Sequence, residues 1–197
     1  MLITKGNLLA CKESLRLASL GYDLMDQKHV ILMQELSKMM GDARNLREVI
    51  DEAYDKAYAA LQRANISLGV IERIANITPV ETDIKIVYRS VMGIEIPKVS
   101  LVDKPLEIPY ALSISNSRLD EVYLEMRKVK YYTVLLAELD NGMFRLAQAI
   151  QKSRKRANAL NGIVIPDLQA QIKHISEALE EKDREEFIRM KLVKKKE

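Results

Sequence analysis

Leu8-Leu9-Ala10-Cys11-Lys12-Glu13-Ser14-Leu15 opens a heptad register that the chain holds to Ile74. One seam reads Leu8, Leu15, Tyr22, His29, Leu36, Ala43, Ile50, Ala57, Ala64, Ile71. The companion seam reads Cys11, Ala18, Met25, Leu32, Met39, Leu46, Ala53, Ala60, Ser67, Ile74. Only His29 and Ser67 break the apolar rule, and no proline occurs before Pro79. Such a repeat specifies a supercoiled helix rather than a helix of a globular core. At 1.5 Å per residue it predicts a helix of roughly 100 Å.

Thr4 or Asn7 supplies a capping oxygen for its first turn. Gly21, Gly41 and Gly69 lie inside the pattern but off both seams. Thr78-Pro79 ends it, because the residue before a proline is pushed out of helical geometry. The Ala53, Ala57, Ala60, Ala64 stretch predicts close approach of a partner helix.

Four of the five prolines fall between Asn76 and Pro109. Within that span Asp83–Arg89 and Ile94–Val99 alternate, with Val91-Met92-Gly93 as a turn between them. This reads as a short β-hairpin, with Pro97 marking an edge strand. A hairpin alone is marginal in water, so it is expected to pack on the helices or on a partner.

A second long helix is expected from Ser113 or Ser115 to about Val193. Its stripe runs Leu119, Val122, Met126, Val129, Leu136, Leu139, Met143, Leu146, Ile150, Ala157, Leu160, Val164, Leu168, Ile172, Ile175, Leu179. From Leu160 to Ile172 the spacing slips to successive fours, and Pro166 stands in that stretch. The ring of Pro166 crowds the carbonyl of Gly162, so a bend is expected at 162–166 without a full break. Both helices carry an apolar stripe too narrow for a globular core and too long to leave in water. They are expected to pair antiparallel.

The fold class is therefore dominated by α-helix: a long two-helix antiparallel coiled coil with a β-hairpin in the middle of the chain. Its parts are residues 1–76, 77–112 and 113–197. Composition agrees: 30% of residues are charged, 5% aromatic, and there is no Trp. That suits a narrow seam under a wide solvated surface.

A net charge of +3 is too small to imply nucleic acid. One Cys and two His cannot assemble a Cys/His metal site. Cys11 lies on the seam and reads as a small buried thiol, His29 as a register-setting polar position, and His174 as surface. No apolar run approaches membrane-spanning length and no signal peptide is visible, so a cytosolic, soluble chain is expected. No catalytic constellation, metal site or cofactor motif is present, and no direct membrane insertion is expected.

Charge is concentrated in two places. Lys152-Ser153-Arg154-Lys155-Arg156 displays bases around most of a helix, either as a solvated face or as a contact for an acidic surface. No interleaved aromatics favour nucleic acid. Toward the C-terminus, Glu180–Arg184 and Glu185–Arg189 are spaced to pair, followed by Lys191 and Lys194-Lys195-Lys196.

Several runs resemble the D subunits of V-type and archaeal-type ATPases. They are Thr4-Lys5, Leu8, Lys12, Leu15, Ala18, Gly21-Tyr22 and Lys28 near the start, then Arg154-Lys155-Arg156-Ala157-Asn158-Ala159-Leu160, Val164-Ile165-Pro166 and Ile172-Lys173-His174-Ile175. The run Leu179–Phe187 and the basic tail match as well. Asn161, Ala157, Asp167 and His29-Val30 depart from the usual pattern.

The resemblance implies a non-catalytic rotor stalk of an ATP-driven ion pump or ATP synthase, peripheral to the membrane on its cytoplasmic side. It implies that both termini lie inside the ring of alternating A and B subunits. There Lys5, Lys12, Arg154, Lys155, Arg156, Arg184, Arg189 and Lys191 would face acidic linings. It implies that the hairpin, through Ile84, Ile86, Tyr88, Met92, Ile94 and Ile96, meets the subunit that seats the stalk on the membrane ring. A small F subunit of the stalk is implied alongside. The alternative of another class is a prefoldin-like coiled-coil chaperone or scaffold, whose arms are shorter and whose tips are apolar.

Overall fold

The computed structural model describes residues 3–76, 78, 84–101, 108–111 and 115–194. Pro79, Asp83, Pro105, Ser113 and Lys195-Lys196 lie outside the described residues. Helix α1 covers Lys5–Leu68, α2 Glu72–Ala75, α3 Ser117–Ala159 and α4 Ile165–Lys194, with a π-helical turn at Leu160–Val164 between the last two. Strands β1 (Ile84–Val91) and β2 (Ile94–Leu101) form one antiparallel hairpin. The chain divides into two compact units, Met1–Ile31 with Ile150–Glu197, and Leu32–Ala149.

Both seams behave as their spacing requires. Every described position on them is buried or half-buried except Ser67. At the N-terminus Thr4 is the cap: its Oγ1 accepts the Asn7 N–H at 3.2 Å. The other end departs from expectation. The helix stops at Leu68, short of Ile74, because Gly69 takes φ 75° and donates its N–H to the Asn65 carbonyl at 2.9 Å. A left-handed glycine after the last turn is a common way to satisfy terminal carbonyls. Ser67 breaks the apolar pattern at this same end, and its hydroxyl donates to the Ala64 carbonyl at 3.0 Å.

In the unit formed by 1–31 and 150–197, α1 meets the end of α3 and α4 running the other way. Met25 lies opposite Ser153, and Lys5 sits 3.8 Å from Asp183. Cys11, Ala157 and Ile175 are buried here. Ser153 is a buried polar residue, and its hydroxyl donates to the Met25 carbonyl at 3.4 Å. His29 Nδ1 is buried without a hydrogen-bond partner among the described residues. His174 is exposed, as expected.

The π turn answers the run of fours. The Ile165 N–H closes on the Leu160 carbonyl, five residues back. A wider turn takes up the extra residue that a spacing of four accumulates against 3.5, and Pro166, which has no N–H to donate, stands just beyond it. The chain stays helical through the proline.

In the unit Leu32–Ala149, α1 and α3 also run antiparallel. Arg47 reaches Asp140 at 3.4 Å and Arg63 reaches Glu121 at 2.7 Å. The small residues do what their size allows. Ala53 and Ala57 pack with Val129, and Ala60 and Ala64 with Val122, with Met126 against both clusters. Helix α3 begins at Ser117, later than the serines at 113 and 115, because Asn116 is its cap. The Asn116 Oδ1 accepts the Leu119 N–H at 3.1 Å, while its amide donates to Ser67 Oγ at 3.0 Å. Ahead of this cap Tyr110 is buried, donates its hydroxyl to Asp120 Oδ1 at 2.7 Å and meets the Tyr123 ring edge-on at 5.9 Å.

Candidate partner-binding surfaces

The hairpin turns on two residues, Met92 at φ 51° and Gly93 at φ 78°. Positive φ at both central positions is the turn whose twist matches paired strands. It also fixes which groups face outward. Val91 and Ile94 close the ladder as a hydrogen-bonded pair, so the pairs alternate from there. Glu95, Pro97 and Val99 on β2, and Ile86, Tyr88 and Ser90 on β1, therefore turn their backbone groups away from the partner strand. Pro97 costs no ladder bond in this register.

Helix α3 occupies the outer edge of β2. Glu138 Oε2 accepts the Val99 N–H at 2.6 Å, and Arg145 Nη1 donates to the Glu95 carbonyl at 3.1 Å. The Arg145 guanidinium also lies 5.4 Å from the Tyr88 ring centroid, within cation–π range. Between these residues Gly142 is buried where a Cβ would stand 2.5 Å from Met39 Cε and 3.0 Å from Ile96 Cγ2. Glu138, Gly142 and Arg145 are spaced i, i+4, i+7 and so share one helix face. On the α1 side Arg89 pairs with Glu35 at 2.5 Å.

The hairpin residues picked out by sequence thus divide. Ile84, Ile86, Tyr88 and Met92 are exposed at 43%, 56%, 53% and 43%. Ile94 is half-buried. Ile96 departs from the expectation of a partner contact: at 3% exposure it is core, held by Met39 and Gly142.

The basic residues lie on the other unit. Lys5, Lys12, Arg154, Lys155 and Arg156 are exposed. Ser153, which interrupts the basic run, and Ala157, which follows it, are the buried positions, so the seam passes through this segment and the bases fan out around it. Farther along α4, Arg184 reaches Glu180 at 3.9 Å and Arg189 reaches Glu185 at 3.6 Å, both as spaced. Lys191 Nζ stands 5.3 Å from the Phe187 ring centroid. Phe187, Ile188, Met190 and Leu192 are 57–60% exposed on this last stretch. Gly162 has open space around it and Pro166 is exposed.

Sequence reasoning missed Glu138, Gly142 and Arg145. The signal was present as their shared face, but it carries meaning only once β2 is known to lie along it. Among the described residues no group of three or more His, Cys, Asp or Glu side chains is placed to hold a metal ion. No helix among them is long and apolar enough to cross a membrane.

Comparison with known proteins gives one consistent result. A sequence profile for the D subunit of ATP synthase matches residues 7–195. The chain is 40% identical over 195 residues to the V-type ATP synthase D subunit of Thermotoga neapolitana, covering 98% of this chain and 96% of that protein. It is 33% identical over 196 residues to the A-type ATP synthase D subunit of Thermococcus kodakarensis, covering 97% and 92%. It is also 33% identical to the A-type ATP synthase D subunit of Methanosarcina acetivorans, covering 97% and 94%. With nearly every residue matched from the first helix through the hairpin to the basic tail, the chain belongs to the family of ATP synthase D subunits.

Proposed function

We propose that this protein is the non-catalytic central stalk of a rotary V/A-type ATPase. In that role it carries torque between the ring of A and B subunits, where ATP is made or hydrolysed, and the membrane ring that moves ions. The observation that supports this best is the helical continuity of two long segments. One is α1, with 64 residues; the other runs from Ser117 to Lys194 through the π turn without a break. Each follows one narrow apolar seam under a charged surface. Torque transmission needs that continuity, because a broken helix yields at the break.

The two units have different partners on this reading. The unit bearing the chain termini engages the A and B subunits. Lys5, Lys12, Arg154, Lys155, Arg156, Arg184, Arg189 and Lys191 meet acidic ring linings, and the exposed Phe187, Ile188, Met190 and Leu192 sit in an apolar bearing. The hairpin unit engages the protein that seats the stalk on the membrane ring, through Ile84, Ile86, Tyr88 and Met92. The small F subunit binds alongside. Gly162 lies within, and Pro166 just beyond, the turn that makes the second helix of the stalk unlike the first.

The test is native isolation of the tagged chain followed by mass spectrometry and a rotation assay. Co-isolation with A and B subunits, and ATP-driven rotation of a bead fixed to this chain, are expected. Absence of A and B subunits, or hydrolysis with a stationary chain, overturns the reading. Deleting residues 183–197 is expected to weaken ring binding or lower torque per ATP, and unchanged coupling refutes the placement of that end.

A further inference from the structure

The two edges of the hairpin are not equivalent. Helix α3 closes the β2 edge through the Glu95 carbonyl and the Val99 amide. The β1 edge is open: the backbone groups of Ile86, Tyr88 and Ser90 face outward and bond to nothing among the described residues. Seven of the eight β1 residues are exposed and the eighth is half-buried. The strand is nevertheless rich in β-formers, with Ile84, Ile86, Val87 and Tyr88 all 43% exposed or more. An open, apolar edge of this length is a template for another strand unless charge or covering blocks it.

We propose that β1 is a strand-addition site that accepts an extended segment of another protein bearing acidic residues at alternate positions. This deepens the docking role given to the hairpin above and rests on it. Main-chain bonds to Ile86, Tyr88 and Ser90 supply the pairing, and alternate side chains supply the choice of partner. The charges favour an acidic strand. Lys85, Arg89 and Lys98 lie on one face of the sheet, and of these only Arg89 has an ion-pair partner among the described residues, Glu35. A strand beside β1 with carboxylates on that face neutralises Lys85. A second copy of this chain brings another Lys85 and Arg89 onto the same face, and like charges facing each other across strands are unfavourable.

The experiment compares hydrogen exchange, resolved to single amides, in the isolated chain and in the intact ATPase. The amides of Ile86, Tyr88 and Ser90 are expected to slow by roughly tenfold or more in the complex. Those of Lys85, Val87 and Arg89, already in the ladder, should change less. Equal exchange of Ile86, Tyr88 and Ser90 in both samples overturns the proposal. Protection that grows with concentration of the isolated chain overturns it in favour of self-pairing.

An Ile86→Pro variant removes an outward N–H without touching the β1–β2 ladder, as Pro97 already does on β2. It is expected to lose assembly, measured by native mass spectrometry, whereas Ile86→Thr retains it. Normal assembly of Ile86→Pro also overturns the proposal. The two readings fail differently. If docking fails, deleting 84–98 leaves assembly and ATPase rate unchanged. If edge pairing alone fails, that deletion is harmful and Ile86→Pro is not.

Discussion

Gly142 and Met39 approach so closely that a single added methyl on α3 would overlap Met39 Cε, at 2.5 Å. Ile96 completes the contact from β2 at 3.0 Å, so two helices and a strand meet where one residue has no side chain. A Gly142→Ala variant is therefore a test of the hairpin's seat. Overpacking costs about 1–3 kcal/mol, against a helix-propensity gain of up to about 1 kcal/mol. The Met39 end is flexible and yields, but the Ile96 methyl is held by the sheet. A net loss of about 1 kcal/mol is expected by urea denaturation. Met39→Ala, destabilising in its own right because Met39 is buried, should cost less in the Gly142→Ala background than in the parent chain, since contacting sites do not add.

Glu138 is the acceptor for the Val99 amide, and truncating it leaves a half-buried N–H without a partner. Bonds to charged groups contribute about 1.5–3 kcal/mol. Glu138→Ala is expected to lower stability within that range and to speed exchange of the Val99 amide. Glu138→Gln, which keeps an acceptor oxygen, should lose less. Equal losses for the two variants would show that the bond does not hold the strand.

Burial, then the hydrogen bond to Asp120, then its charge, push the Tyr110 hydroxyl well above the ordinary tyrosine range. A raised folded-state value means the folded chain holds this proton after the unfolded chain has released it. The stabilisation is complete below about pH 10, the unfolded value, and declines as pH rises beyond it. Unfolding free energy is expected to fall more steeply above about pH 10 in the parent chain than in Tyr110→Phe. Parallel pH profiles would refute this.

Arg154, Lys155 and Arg156 are exposed around a buried seam, so replacing all three by Gln should leave the thermal midpoint nearly unchanged. Binding to the isolated A/B ring is expected to weaken by about tenfold and to lose much of its salt dependence. A variant that binds with unchanged affinity and salt slope returns the run to a merely solvated face.

Periodicity carried much of this fold in the sequence. A repeat that buries one narrow stripe is visible from Leu8 onward because each seam residue has the same environment. The ends were harder to read. Gly69 reads as a tolerated interior glycine until its backbone is seen at positive φ, and Asn116 competes as a cap with Ser115 beside it. The hairpin was legible from alternation and from Met92-Gly93. Its seat was not, because Glu138 and Arg145 look like ordinary surface charges on a helix that has many. Ser153 was hidden for the opposite reason: its basic neighbours disguise a buried position. The π turn was visible only as a run of fours, which names a disturbance of phase and not its form.

The contacts from Glu138 and Arg145 end on the Val99 amide and the Glu95 carbonyl, which any residue but proline would offer at 99 and any residue at all at 95. At these two points the hairpin is gripped by its main chain. Its outward letters can be rewritten over evolution without unseating it, so the same clasp can present different vocabularies to different neighbours.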